Sequence, residues 1–259
     1  MSSWEPTCKT QGYSANTMNT YSRMVAVISL LFCLSCDKEK KLVHVEDNDH
    51  NGNPEHYYSY YLDEAGKMVK HGKEMKWWAP GIMELEQTWV DGHRNGPSTL
   101  WYRNGNTQLE QFFRSDSADS IVIRYFENGN VQRKSHLKNL KAHGEDLEYD
   151  EKGRLYNLTT YQEGVMNGPH KMWYENGDPM WDRNFLNGEL QGTAKWWWRH
   201  PHNIGSIMNY DKGHEDGIQM KWHNNGKLSE KYLAQGGQRT GTDSAWDEKG
   251  RLVRGGLPL

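Results

Sequence analysis

The chain has 259 residues and only three cysteines, Cys8, Cys33 and Cys36, with none beyond position 36. A disulfide framework or a cysteine-ligated metal in the long remainder is thereby excluded. Aliphatic filling is also scarce: hydrophobic residues make up 35% of the chain and the mean hydropathy is strongly negative. So low a value by itself points towards disorder. Against it stand 12 Trp and 14 Tyr, large apolar surfaces that a hydropathy average underrates. An excess of one charge is lacking too. The net charge is −3, acids and bases are interspersed, and no basic stripe marks a nucleic-acid partner. There is no P-loop, no Gly-x-Ser-x-Gly and no His-Glu-x-x-His. The histidines are scattered, and His200 and His202 read as an exposed turn rather than a metal site. The acid pairs Glu145–Asp146 and Glu215–Asp216 read as solvated turn residues. No catalytic residue, no metal and no cofactor is expected, and the chain is read as a non-enzyme.

One apolar run stands out. It follows Arg23-Met24, continues to Leu34 and meets a charged run, Asp37 to Lys41, at Ser35-Cys36. It is too short for a comfortable membrane span and reads as the apolar core of a signal segment. The segment resembles a bacterial lipoprotein signal, although Cys33 stands where that signal usually has Leu. The resemblance implies a lipidated Cys36 as the mature first residue. It also implies a lipid-anchored protein of the bacterial cell envelope, at the outer membrane and in some such proteins surface-exposed. Residues 1–35 are then the signal and residues 36–54 a charged linker.

What the rest of the chain holds is a repeat of about 24 residues. An opening glycine falls at Gly72, Gly96, Gly144, Gly168, Gly192, Gly217 and Gly241, with Ser120 in the same register. Five residues later comes an aromatic in all eight copies: Trp77, Trp101, Tyr125, Tyr149, Trp173, Trp197, Trp222 and Trp246. A second glycine follows nine residues after the first, often as Asn-Gly, as in Asn104-Gly105 and Asn176-Gly177. Asn-Gly between alternating runs is a strong hairpin signal, because both residues tolerate φ > 0. A closing glycine recurs at Gly92, Gly164, Gly188 and Gly237, with Gly213 displaced by one and Leu140 standing in its place once. Each unit therefore reads as strand, turn, strand, turn. The expected fold is all-β, an elongated single-layer antiparallel sheet of about eight stacked hairpins over residues 72–256. A degenerate hairpin over residues 55–71 caps it.

Ile121, Ile123 and Tyr125 are spaced two apart, as are Ile218, Met220 and Trp222, so they share one strand face. This places the eight aromatics at offset 5 in the structural core. Offset 6 varies more: Trp78, Tyr102, Phe126, Asp150, Tyr174, Trp198, His223 and Asp247. Its aromatics, Trp78, Tyr102, Phe126, Tyr174 and Trp198, are the candidate binding surface.

The string Gly168-Pro-His-Lys-Met-Trp173-Tyr174-Glu-Asn-Gly177 is similar to the MORN repeat, in the variant common in bacterial proteins. That resemblance implies a row of antiparallel hairpins, and it leaves function open. Relatives of this kind include labelled antitoxins of toxin–antitoxin systems, exported lipoproteins and scaffolds. The departures from the pattern concentrate at Trp196-Trp197-Trp198-Arg-His200-Pro201-His202, with one inserted residue before Gly213. An irregular unit is where a specific ligand site is grafted, or it is drift.

Three functions compete. The leading one is a non-enzymatic, membrane-anchored scaffold that binds a protein or an envelope polymer. An antitoxin or immunity protein that neutralises a toxin is the second. The third is a carbohydrate- or lipid-binding repeat module, which needs aromatic cages between neighbouring units.

Overall fold

The computed structural model describes residues 40–116 and 120–255. The expected signal segment and Cys36 lie outside the described residues. Within them there is no helix, and 20 strands form one antiparallel sheet. Strands adjacent in sequence are adjacent in space, so the sheet is a meander running from Val43–Asn48 to Leu252–Arg254. This is the hairpin succession that the repeat predicts.

The sheet starts within the expected linker. Val43–Asn48 pairs with Pro54–Leu62. The turn between them is made by Asp49, whose Oδ1 accepts from the backbone N–H of Asn51 and of Asn53. The same device closes the hairpins at Asp63, Asp150 and Asp247. A short carboxylate that satisfies two backbone donors makes a turn out of a run that looks merely charged.

The two turns of each unit are chemically distinct. At the closing turn both central residues have φ > 0, as in Glu163 (53°) with Gly164 (86°) and Asn187 (52°) with Gly188 (86°). That is the two-residue type I′ hairpin turn, which matches the twist of the strands it joins. Leu140 holds the same conformation at φ 63°. The Asn-Gly pairs sit elsewhere. At Asn104-Gly105 only the glycine takes positive φ, 86°. Tyr102 N–H donates to Asn106 O and Gly105 N–H to Tyr102 O, which is a three-residue loop with a bulge. The sequence argument that both residues of Asn-Gly supply φ > 0 is thus corrected, since only the glycine does. The asparagine is used for its side chain, not for its backbone tolerance.

The opening glycines are not at turns. Each lies inside a strand, directly opposite a large side chain in most units: Gly72 opposite Trp89, Gly96 opposite Phe113, Gly144 opposite Tyr161, Gly168 opposite Phe185 and Gly192 opposite Tyr210. On its other side the ladder is bulged. A Cβ at Gly168 would stand 3.2 Å from the Thr160 Cβ, in a backbone with φ 116°. The glycine answers two demands at once, a bulge conformation with positive φ and the close approach of a side chain across the bulge.

A single sheet has no second layer, and long basic side chains supply one. The Arg94 guanidinium lies 4.0 Å from the Phe113 ring centre, Arg239 3.8 Å from Tyr232, and Lys70 4.9 Å from Trp89. Their methylene stems cover apolar surface while their charge faces the ring. This accounts for an ordered sheet in a chain of such low hydropathy.

Candidate functional site

The most enclosed position of the repeat is offset 2. Glu74, Ser98, Val122, Asp146, His170, Ala194 and Gln219 are all buried, a file of seven across successive units. None of the eight offset-5 aromatics is fully buried; all are half-buried. The expectation that they form the internal core is revised accordingly. Offset 1 is exposed at Ile121 and Ile218, so the alternation Ile121, Ile123, Tyr125 marks the more open face. The sequence missed the buried file because its positions recur while its residue types do not.

Polar members of that file carry their own partners. Glu74 accepts from Lys70 Nζ (2.8 Å), Gln87 Nε2 (2.8 Å), His56 Nε2 (2.9 Å) and Trp89 Nε1 (2.6 Å). Burial pushes its carboxyl up, and the four hydrogen bonds outweigh burial and bring it down to about 2. Asp146 is held by Arg133 through Nε (2.8 Å) and Nη2 (2.7 Å). His170 accepts at Nδ1 from Arg183 Nε (2.8 Å). Burial, then the Arg183 charge, hold its imidazole below the ordinary histidine range, so it is neutral in the fold.

The candidate surface at offset 6 is largely engaged within the sheet. Trp78 Nε1 donates to Trp101 O, Tyr102 Oη to Tyr125 O, Tyr174 Oη to Trp197 O and Trp198 Nε1 to Trp222 O. His223 Nε2 meets Trp246 O in the same way. These five offset-6 side chains thus reach forward to the offset-5 carbonyl of the next unit. The asparagine turns add a second file of such bonds, with Asn104 donating to Glu127 O, Asn128 to Glu151 O and Asn225 to Glu248 O. Where offset 6 is Asp150 or Asp247, the carboxylate closes its own turn instead. Trp78 remains the most open of the set, with Arg103 stacked 5.0 Å over its ring.

The geometry of a binding site is found at the irregular unit. A groove of about 640 Å³ runs over the strands between Pro179–Leu186 and Leu228–Gln235. Four indoles wall it: Trp181, Trp196, Trp198 and Trp222. Trp181 and Trp196 are cross-strand partners with ring centres 6.1 Å apart. Trp196 meets Trp198 edge-on at 4.5 Å. The hollow exists because its floor is small. Ala194 occupies the buried file where other units have Glu, Asp or His, and Gly205 lies beneath the Trp196 ring so closely that a Cβ would overlap it. Ser206, Lys221, Asn224 and Glu248 supply polar groups to the wall. The indole N–H of Trp198 is engaged with Trp222 O, while those of Trp181, Trp196 and Trp222 have no hydrogen-bond partner among the described residues.

Of the five candidate surface residues, the structure therefore brings Trp198 into this groove, and Tyr174 into a smaller hollow of about 380 Å³ beside Trp173 and Arg199. Trp78, Tyr102 and Phe126 line neither. Trp181 carried no mark in the sequence, and Trp196 only its place in the irregular stretch. The available signal was Trp at offset 4, where the other units carry Lys76, Leu100, Arg124, Glu148, Met172, Lys221 and Ala245. His202 lies 3.5 Å from Asp178 and both are open to solvent.

Residues 119–139 match the family model of the MORN repeat variant. No curated protein matches the chain. Among solved structures, the crystal structure of a protein with unknown function from Bacteroides fragilis NCTC 9343 is similar at 9% identity. The likeness covers 86% of this chain and 96% of that one, with a TM-score of 0.16. The matched MORN-variant segment, with seven further openings in the same register, supports a MORN-repeat protein.

Proposed function

We propose that the protein is a non-enzymatic scaffold, anchored to a bacterial envelope through Cys36, whose sheet binds a protein or an envelope polymer. The groove at the irregular unit carries this reading. Concave sites lined mainly by aromatic rings, with a few polar groups for orientation, are where ligands bind, and a cluster of indoles marks a contact surface. Two of its ionisable wall residues are committed to structure: Lys221 pairs with Glu230 at 3.1 Å and His223 with the Trp246 carbonyl at 2.8 Å. The lipidated cysteine and its charged tether would hold the sheet at a membrane surface.

The test is co-sedimentation of the full-length protein, purified in detergent, with insoluble envelope material. A Trp196→Ala/Trp222→Ala variant with unchanged far-ultraviolet circular dichroism should bind at least tenfold more weakly. Undiminished binding by that variant would contradict the reading. For the anchor, palmitate labelling should disappear in Cys36→Ala; label that persists places the lipid elsewhere.

A further inference from the structure

The groove has a ligand chemistry written into it, and this step rests on the binding-scaffold reading above. We propose that it is a glycan site, taking uncharged pyranose rings of an envelope polysaccharide against the indole faces of Trp196, Trp198 and Trp222.

Three observations lead there. The first is shape and surface. Indole rings present flat apolar faces with a polar edge, and the C–H faces of a pyranose ring are complementary to them. A volume of about 640 Å³ falls within the ordinary range for small-ligand sites, ~300–1,000 Å³, and an open groove suits a chain that enters and leaves it.

The second is hydrogen bonding. Sugar hydroxyls donate and accept, so they need both kinds of partner around the rings. Ser206, Ser229 and Asn224 offer either, Glu248 accepts, and the unpartnered indole N–H groups donate. An aliphatic lipid tail would leave all of these unsatisfied, at a cost for each buried polar group.

The third is charge. Aromatic clusters also cage cations, but here the local cations already belong to the protein. Arg183 lies 5.2 Å from the Trp181 ring centre and Lys221 5.7 Å from that of Tyr232. A ligand cation would meet two like charges nearby. The wall itself holds one Lys and one Glu, with Lys221 ion-paired to Glu230. A near-neutral, hydroxyl-accepting cleft favours an uncharged polyol over a cationic or strongly anionic ligand. A protein partner is left as an outcome of the test.

The test is intrinsic tryptophan fluorescence of the full-length protein, titrated with soluble hexasaccharides. The panel is β-linked glucose, β-linked N-acetylglucosamine, β-linked xylose and α-linked glucose, with choline chloride as the cation probe. At least one hexasaccharide should give a saturable change. That change should weaken at least tenfold in Trp196→Ala and in Trp222→Ala, and persist in Trp101→Phe. Where an alanine variant loses its near-ultraviolet dichroism, Trp196→Phe replaces it and should weaken binding by a smaller factor. Saturation by choline without any sugar response overturns the proposal in favour of a cation cage. Silence with every saccharide, while the protein still co-sediments with envelope material through Trp196 and Trp222, overturns the glycan assignment and leaves the scaffold reading standing with a protein partner. Silence in both assays overturns both.

Discussion

The Trp196 ring lies directly over Gly205, with no room for a Cβ between them. One side-chain atom therefore decides whether the groove keeps its shape. Gly205→Ala should displace Trp196 and cost about 1–3 kcal/mol, as overpacking does. Urea denaturation reads the cost, and envelope co-sedimentation should fall with it. A neutral Gly205→Ala with full binding would mean that Trp196 does not hold this position.

Tyr102→Phe and Tyr174→Phe each remove one hydrogen bond to the carbonyl of the next unit, 2.8 Å and 2.6 Å long. Each should cost about 1 kcal/mol. The two sites are three units apart with no shared partner, so the double variant should show the sum. Near-zero effects in denaturant would show that the forward bonds contribute nothing net.

Leu140 is the one closing-turn position where a β-hairpin conformation suited to glycine is held by an exposed aliphatic, at φ 63° and 67% exposure. Leu140→Gly relieves the left-handed strain, on the order of 1 kcal/mol, and loses little buried surface. The melting temperature should rise. A fall would mean that the leucine makes a contact in solution that outweighs its backbone.

Acid should destabilise the sheet in two stages. His170 is neutral in the fold with its pKa lowered from 6.5. The unfolded chain binds the proton more readily, so its contribution is present above pH 6.5 and declines as pH falls below it. Glu74 is depressed from 4.5 to about 2. Its contribution is full above pH 4.5 and disappears between there and about 2. Melting curves across pH should lose the upper step in His170→Gln and the lower step in Glu74→Gln. A pH profile unchanged by either substitution would contradict the assignments.

Much of the fold was legible because the repeat is written in residues whose backbone demands are narrow. Glycine at a bulge, and glycine in a left-handed turn, recur visibly at Gly96 and Gly164. The turn types were harder to read, since Asn104-Gly105 suits two loop geometries and the bond to Glu127 that separates them comes from the next unit. The buried file was invisible for a different reason. A position that accepts Glu74, Ser98, His170 or Ala194 is defined by the side chains folded over it, which lie on other strands. The groove was half legible. Its unit was marked as irregular, but Trp181 enters from a strand of the preceding unit, and Gly205 from a strand whose register the inserted residue shifts.

The central claim is that ligand binds at the irregular unit and not along the repeated aromatic rows. Indole ¹H–¹⁵N spectra of the full-length protein, recorded during titration with solubilised envelope polymer, test it most directly. The account predicts that the resonances of Trp181, Trp196, Trp198 and Trp222 shift together and saturate together, while those of Trp77, Trp78 and Trp101 stay in place. Shifts at Trp77, Trp78 and Trp101 with the four groove indoles unmoved would contradict it.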